Sequence, residues 1–327
     1  MTEHVPHLGV YLEAYLAPMA PWLNDPAVTD IYVNKPGELW VERLGGGLRR
    51  FEVPALDEAN LWRLARQVAS LASQGISREH PLLSAILPDG ARVQVVAPPA
   101  TRGGLALAIR KHVVSDMTLA EYAAAGGFVG ATTPQVRPDA ALRVLLDAGD
   151  VEGFLAAAVR AGKNIVISGG TSTGKTTFLN ALLKEIPLDQ RLVIIEDAPE
   201  IRLVHPNAVG LVAVRGDQGQ ARVTAEDLLQ ASLRLRPDRI ILGELRGAEA
   251  FSFLRAVSSG HPGSMTTVHA DDAAGAVDQL ALMALQAGAN LRRADVVDHV
   301  RRVVDIFVQL QRRDGVRSVR EVVFTDR

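Results

Sequence analysis

Ile165-Val-Ile-Ser-Gly169-Gly-Thr-Ser-Thr-Gly174-Lys175-Thr176-Thr177-Phe178-Leu-Asn-Ala-Leu-Leu183 is the stretch on which the reading of this sequence turns. Ile165, Val166 and Ile167 form a short apolar run, two glycines follow, and Phe178 to Leu183 resume an apolar pattern at helical length. Strand, glycine-rich turn and helix in that order make a phosphate cradle, because the glycines let successive backbone N–H groups point inward at an anion. Gly169, four residues and then Gly174-Lys175-Thr176 match the P-loop spacing in full. Lys175 supplies a point charge for β- and γ-phosphates, and the Thr176 hydroxyl suits a Mg²⁺ ligand. Gly169, Gly170, Thr171, Ser172, Thr173, Gly174, Lys175, Thr176 and Thr177 are therefore the candidate nucleotide-binding residues, with ATP and Mg²⁺ as the implied cofactors.

Around this motif the chain alternates strand and helix. Residues 164–168, 191–196, 209–214 and 239–243 are short apolar runs, several bounded by Gly or Asp. Helical patterns over 176–185, 225–235 and 248–258 lie between them, and Thr224 with Asp227 three residues on has the form of a capping box. This alternation predicts a mostly parallel α/β sheet that binds ligands at the carboxyl ends of its strands.

The first part of the chain has a different rhythm. Residues 28–33 and 39–43 read as strands joined by the turn Asn34-Lys-Pro-Gly37, and 91–97 and 105–111 as two more. Between the pairs, Leu61, Leu64, Ala65, Val68, Leu71 and Ala72 fall at helical spacing, predicting a helix over 57–74. Strands that mostly follow one another predict a smaller α+β domain on an antiparallel sheet. Residues 126–150, with Gly-Gly, Thr-Thr-Pro, Arg-Pro-Asp and one apolar cluster at 142–146, read as the connector. The expected division is 1–125 for the first domain, 126–150 for the linker and 151–327 for the second domain.

Composition removes several classes of function. The balance of 35 basic against 37 acidic residues gives a net charge of −2, without a bulk basic field for nucleic acid. The pairs Arg292-Arg293, Arg301-Arg302 and Arg312-Arg313 read as solvated faces. With no cysteine, disulfides and Cys-based zinc sites are excluded. The N-terminus lacks the order of a signal peptide, and no run reaches the ~18 apolar residues of a membrane span. The chain reads as cytoplasmic, with any membrane contact peripheral.

A nucleotide in the cradle needs carboxylates opposite it. Ile194-Ile-Glu196-Asp197-Ala-Pro-Glu200 and Arg239-Ile-Ile-Leu-Gly-Glu244 both place acids at strand ends, and Glu244 stands where a Walker-B-type acid is expected. Ser259-Gly-His261-Pro-Gly-Ser-Met-Thr-Thr-Val-His269-Ala adds two histidines without metal-site spacing. An imidazole hydrogen-bonded to phosphate or to a catalytic acid is the reading preferred over a metal ligand.

Taken in this order, the segments resemble the secretion and pilus-motor ATPase superfamily, and within it the traffic ATPases of type IV secretion and conjugative transfer. Residues 169–177 are similar to the Walker A box and Ile195-Glu-Asp-Ala-Pro-Glu200 to the Asp box. Leu235-Arg-Pro-Asp-Arg-Ile-Ile-Leu-Gly-Glu-Leu-Arg246 is similar to an atypical Walker B, with Gly243 where other ATPases place Asp. Gly260-His-Pro-Gly-Ser-Met-Thr-Thr-Val-His-Ala270 is similar to the His box. The resemblance runs strongly over 163–324 and only in pieces before that.

It implies a hexameric ring, with a PAS-like N-terminal domain stacked on a RecA-like P-loop motor domain and ATP between them. It further implies Glu244 as the water-positioning acid, Glu200 as the Asp-box acid near Mg²⁺, and His269 as a link to the γ-phosphate. Arg92 and Arg110 are matched to the N-terminal arginines that reach that phosphate. If neighbours exchange domains, these two act on another chain's nucleotide. The implied partners are further copies of the chain and the other ATPases and inner-membrane parts of a type IV channel, with nucleic acid met only indirectly. The alternatives are a type IV pilus or type II secretion motor, a RecA-like nucleic-acid-dependent ATPase and a small-molecule kinase. Roles for Glu196, Asp197 and His261 are left open.

Overall fold

The computed structural model describes residues 9–112, 117–124, 126–129, 139–214, 221–288 and 291–325. Helices α1 (Val10–Leu16) and α2 (Ala20–Leu23) lead into strands β1 (Val28–Val33), β2 (Glu38–Arg43) and β3 (Gly46–Glu52). Helix α3 (Glu58–Leu71) follows, then β4 (Leu82–Ile86), β5 (Arg92–Val96) and β6 (Ala106–Arg110). These strands form one antiparallel sheet in the order β3-β2-β1-β6-β5-β4.

Strand periodicity explains how this sheet is used on both faces. Ile31, Val33, Leu39, Val41, Val93, Val95, Leu107 and Ile109 turn one way, into a core with Leu61, Leu64, Ala65 and Val68 of α3. Tyr32, Trp40, Val96, Ala106 and Ala108 turn the other way and pack against the second sheet's helical layer, which includes Leu228 and Leu229. Asp57 starts α3 by accepting a hydrogen bond from Asn60 N at 2.7 Å. The helix stops at Leu71, short of the expected 74, because Ser73 takes a left-handed φ of 52°. There Ser73 N donates to Ser70 O and Gln74 N to Ala69 O, which satisfies the last carbonyls. Strands β3 and β4 were not foreseen: β3 is largely exposed and carries no alternating apolar signal.

Helices α4 (Leu119–Ala124), α5 (Asp139–Asp147) and α6 (Val151–Arg160) precede the second sheet. Leu142 of α5, inside the expected connector, is buried with Phe154 and Val159 of α6, so the second core draws on residues from that helix onward. The rest of that connector, 130–138, lies outside the described residues. Then come β7 (Ile165–Ser168), α7 (Lys175–Leu183), β8 (Leu192–Glu196), β9 (Ala208–Val212) and α8 (Ala225–Arg234). The chain ends with β10 (Arg239–Leu242), α9 (Glu249–Ser258), β11 (Met265–Val268), α10 (Ala273–Gln286), α11 (Arg293–Val303), β12 (Ile306–Arg313) and β13 (Val316–Phe324).

The strand order is β13-β12-β7-β11-β10-β8-β9, parallel throughout except for the β12–β13 hairpin. This is the mostly parallel sheet the alternation predicted. Alternate residues again divide between two layers. Ile165, Ile167, Ile194, Ile241 and Val308 face α5, α6 and α7, while Val166, Ile195, Ile240, Leu242 and Phe307 face α8 to α11. Each fully buried aliphatic side chain contributes ~1.5–3 kcal/mol, so two continuous apolar layers hold the strand ends rigidly in register. The capping box at α8 is formed in both directions between Thr224 and Asp227. Among the described residues no helix is long and apolar enough to cross a membrane.

Candidate active site

The carboxyl ends of β7, β8, β10 and β11 lie side by side, and each delivers one part of the site. Beyond β7 the P-loop runs from Gly169 to Gly174, and Lys175 opens α7. Gly174 caps that helix at φ 93°, a conformation that side-chain-bearing residues rarely take. Thr173 Oγ1 donates to Gly170 O at 2.9 Å, closing the loop on itself. Lys175 Nζ donates to Gly169 O at 2.9 Å and to Gly170 O at 3.2 Å, and lies 3.4 Å from His269 Nδ1. Burial lowers the Lys175 pKa, an effect opposed by the Glu244 charge.

The first acidic segment ends β8. Glu200 Oε2 accepts from Thr176 Oγ1 at 3.1 Å, joining the two residues expected near Mg²⁺. Asn180 of α7 fixes that contact: its Nδ2 donates to Thr176 O at 3.0 Å, and its Oδ1 accepts from Arg202 N at 2.8 Å. Glu196 is buried and turns inward. Its Oε1 accepts from Glu200 N at 2.9 Å and Ile201 N at 2.8 Å, and its Oε2 pairs with the Arg102 guanidinium. Gly243 follows from this placement. A Cβ built there would stand 3.1 Å from Glu196 Cγ and 3.6 Å from Ile195 O. A side chain at the position where other P-loop ATPases carry an acid would therefore crowd Glu196, which would have to give way by a few tenths of an ångström.

Beyond β10, Glu244 is held from two sides. Its Oε1 lies 2.6 Å from His269 Nε2, and its Oε2 accepts from Arg246 Nε at 2.8 Å. Arg246 also reaches Asp197 at 3.3 Å, and Glu244 holds the Arg246 pKa above its ordinary value. His261 points elsewhere, with Nδ1 2.9 Å from Pro237 O in a half-buried setting whose desolvation lowers its pKa. A cavity of about 440 Å³ joins Thr171 to Thr177, Glu196, Asp197, Glu200, Gly243, Glu244, Arg246, Thr267, His269 and Arg317.

Arg92 and Arg110 do not line this cavity. They are direct cross-strand partners on β5 and β6. Together with Arg234 and Arg236 they line a separate cavity of about 420 Å³. Like charges placed opposite one another on a sheet are unfavourable, and Arg110 also lies opposite Asp30 of β1. Sequence reasoning gave no role to Arg246, although it quoted that residue. It also missed Arg102, Asn180 and Arg317, whose local sequence carries no motif and which the tertiary fold alone brings in.

Thr176 and Glu200 offer hard oxygen donors, the chemistry Mg²⁺ takes when phosphates supply the rest of its shell. Among the described residues no cluster of three or more His, Cys, Asp or Glu could hold a metal on protein ligands alone. The residues present fit a nucleotide-borne Mg²⁺.

A profile of the family described as "Type II/IV secretion system protein" matches residues 142–314. The type IV secretion system protein VirB11 of Brucella suis biovar 1 is 43% identical over 279 residues, covering 83% of this chain and 77% of that protein. PtlH, a type IV secretion system protein of Bordetella pertussis, is 41% identical over 335 residues, covering 99% and 97%. The crystal structure of the VirB11 ATPase from the Brucella suis type IV secretion system, in complex with sulphate, matches with a TM-score of 0.90 at 40% identity. That match covers 96% of this chain and 94% of the crystallised one.

Proposed function

This chain belongs to the type II/IV secretion system protein family and is an ATPase of its type IV secretion branch, and on that premise we propose that it works as a ring motor. In this reading it hydrolyses Mg·ATP to power a type IV channel. The observation that carries the site assignment is the convergence of Lys175, Glu244 and His269 within hydrogen-bond reach, beside the Thr176–Glu200 pair.

The P-loop amides and Lys175 bind and orient the β- and γ-phosphates. Thr176 and Glu200 would hold Mg²⁺, which would supply positive charge against the charge building on the transferred phosphoryl group. Glu244 orients the attacking water and takes up its proton. Arg246 and His269 fix the carboxylate's direction, and His269, between Glu244 and Lys175, senses whether a γ-phosphate is present. Little covalent chemistry is asked of the protein, so catalysis is positioning plus charge stabilisation.

Arg92 and Arg110 complete the reading only across protomers. They line a cavity other than that of their own P-loop, and in a closed ring they would meet the phosphates held by a neighbour's Lys175. We take the ring to be a hexamer that docks on inner-membrane parts of the channel from the cytoplasmic side. Light scattering with and without Mg·ATP, combined with phosphate release, tests this. A protein that hydrolyses ATP while remaining monomeric at micromolar concentration would remove the ring from the proposal.

A further inference from the structure

Arg102 sits in the loop joining β5 to β6, on the N-terminal sheet, yet its contacts are with the motor sheet. Its backbone N donates to Gly210 O at 2.9 Å, and Val212 N donates to Ala100 O at 2.9 Å, so the loop pairs with edge strand β9. The side chain lies flat over Gly210, where any Cβ would come within 2.6 Å of Arg102 Cδ. From there the guanidinium reaches Ile201 O and the inner oxygen of Glu196. Both partners are well buried, with side-chain exposures of 13% for Arg102 and 3% for Glu196.

We propose that Arg102 is a positioning residue for the hydrolysis site, acting through Glu196 on the turn that presents Glu200 to Thr176. Glu196 is the pivot: one oxygen holds the Glu200 and Ile201 amides, and the other is balanced by Arg102. Without the guanidinium, a buried carboxylate faces two backbone donors with no countercharge. It then pulls toward solvent, and the turn loosens. Glu200 would no longer be held 3.1 Å from Thr176, so nucleotide-borne Mg²⁺ would be gripped less well. The seating of the N-terminal sheet on β9 is thereby tied to Mg²⁺ at the same chain's P-loop. Arg92 and Arg110 line another cavity and stand outside this route. The inference rests on the reading of Thr176 and Glu200 as the Mg²⁺ oxygens.

The test uses the full chain and two readouts that need no turnover. Amide hydrogen exchange at Glu200 and Ile201 should quicken at least tenfold in Arg102→Ala. Affinity for a fluorescent ATP analogue should fall about tenfold with Mg²⁺ present and stay unchanged in EDTA. Adding Glu196→Gln should return both readouts toward wild type, because the neutral amide oxygen still accepts both N–H groups and needs no countercharge. Wild-type exchange and wild-type Mg²⁺ dependence in Arg102→Ala, or no rescue by Glu196→Gln, would overturn the proposal. If the alanine variant does not fold, Arg102→Met keeps the stem over Gly210 and removes only the charge, and the same outcomes apply. Thr176→Ala separates the two levels. If it loses Mg²⁺ dependence while Arg102→Ala does not, the relay is wrong and the Mg²⁺ reading stands. If Thr176→Ala binds with ordinary Mg²⁺ dependence, the Mg²⁺ reading itself is wrong.

Discussion

Restoring an aspartate at the bare Walker B position should damage this protein, although most P-loop ATPases carry one there. In Gly243→Asp the new Cβ would stand 3.1 Å from Glu196 Cγ. That side chain cannot yield freely, since two backbone amides and Arg102 hold its carboxylate. Crowding of this kind costs ~1–3 kcal/mol. The charge adds a second cost. Two carboxylates roughly 5 Å apart repel by about 3 kcal/mol at an effective dielectric near 20. Together they destabilise the fold by about 4–6 kcal/mol, or roughly 10–20 °C in Tm at ~2–4 °C per kcal/mol for a domain of this size. Gly243→Ala carries the crowding alone and should fall by about a third as much. The pH dependence has a defined sign. Glu196 raises the introduced carboxyl's folded pKa above its unfolded value. The charge cost is thus fully present above the folded pKa and fades as pH falls through it. Thermal scans of the wild type and both variants at pH 5 and pH 7.5 measure each part. Equal Tm for Asp and Ala variants at pH 7.5 would refute the charge argument, and a wild-type Tm for both would refute the steric one.

Lys175→Ala should abolish nucleotide-dependent activity. Glu244→Gln should bind ATP normally while kcat drops about a hundredfold or more, as single-turnover phosphate release will show. Mixing Lys175→Ala and Arg110→Ala proteins, each inactive alone, should restore about a quarter of wild-type ATPase if arginines act across protomers in a closed ring; no recovery after co-refolding would place Arg110 outside a neighbour's site. His205 hydrogen-bonds Ile186 O at 3.0 Å in a buried site, and burial pulls its pKa below 6.5, as it does for His261. On acidification the unfolded chain takes these protons first, so stability present above pH 6.5 is lost as pH falls below it. Tm should therefore decline from pH 7.5 to 5.5, and His205→Gln should flatten part of that slope.

Much of the motor half was legible because its signals are local. Ile165 to Ser168, the glycines and Lys175 specify strand, loop and helix within a few residues of each other, and short continuous apolar runs announced β8 and β10. The exposed strand β3 gave no such signal, and β12 and β13 were covered only through family resemblance, although the two-residue turn Asp314-Gly315 that joins them is itself a local hairpin signal. What sequence could not supply was partnership. That Glu196 turns inward is decided by Arg102, 94 positions away in the chain and on a different sheet. That a side chain at Gly243 would crowd Glu196 is decided by the strand beside it. That Arg92 and Arg110 line a cavity separate from that of their own P-loop is decided by how the two sheets seat on one another. Backbone conformation and burial period are written in neighbouring residues, whereas the pairing of buried charges depends on which surfaces meet. The sequence by itself determined a phosphate-binding α/β domain behind an antiparallel one and pointed to Glu200 and Glu244; the tertiary structure alone decided which side chains those acids and the buried Glu196 meet.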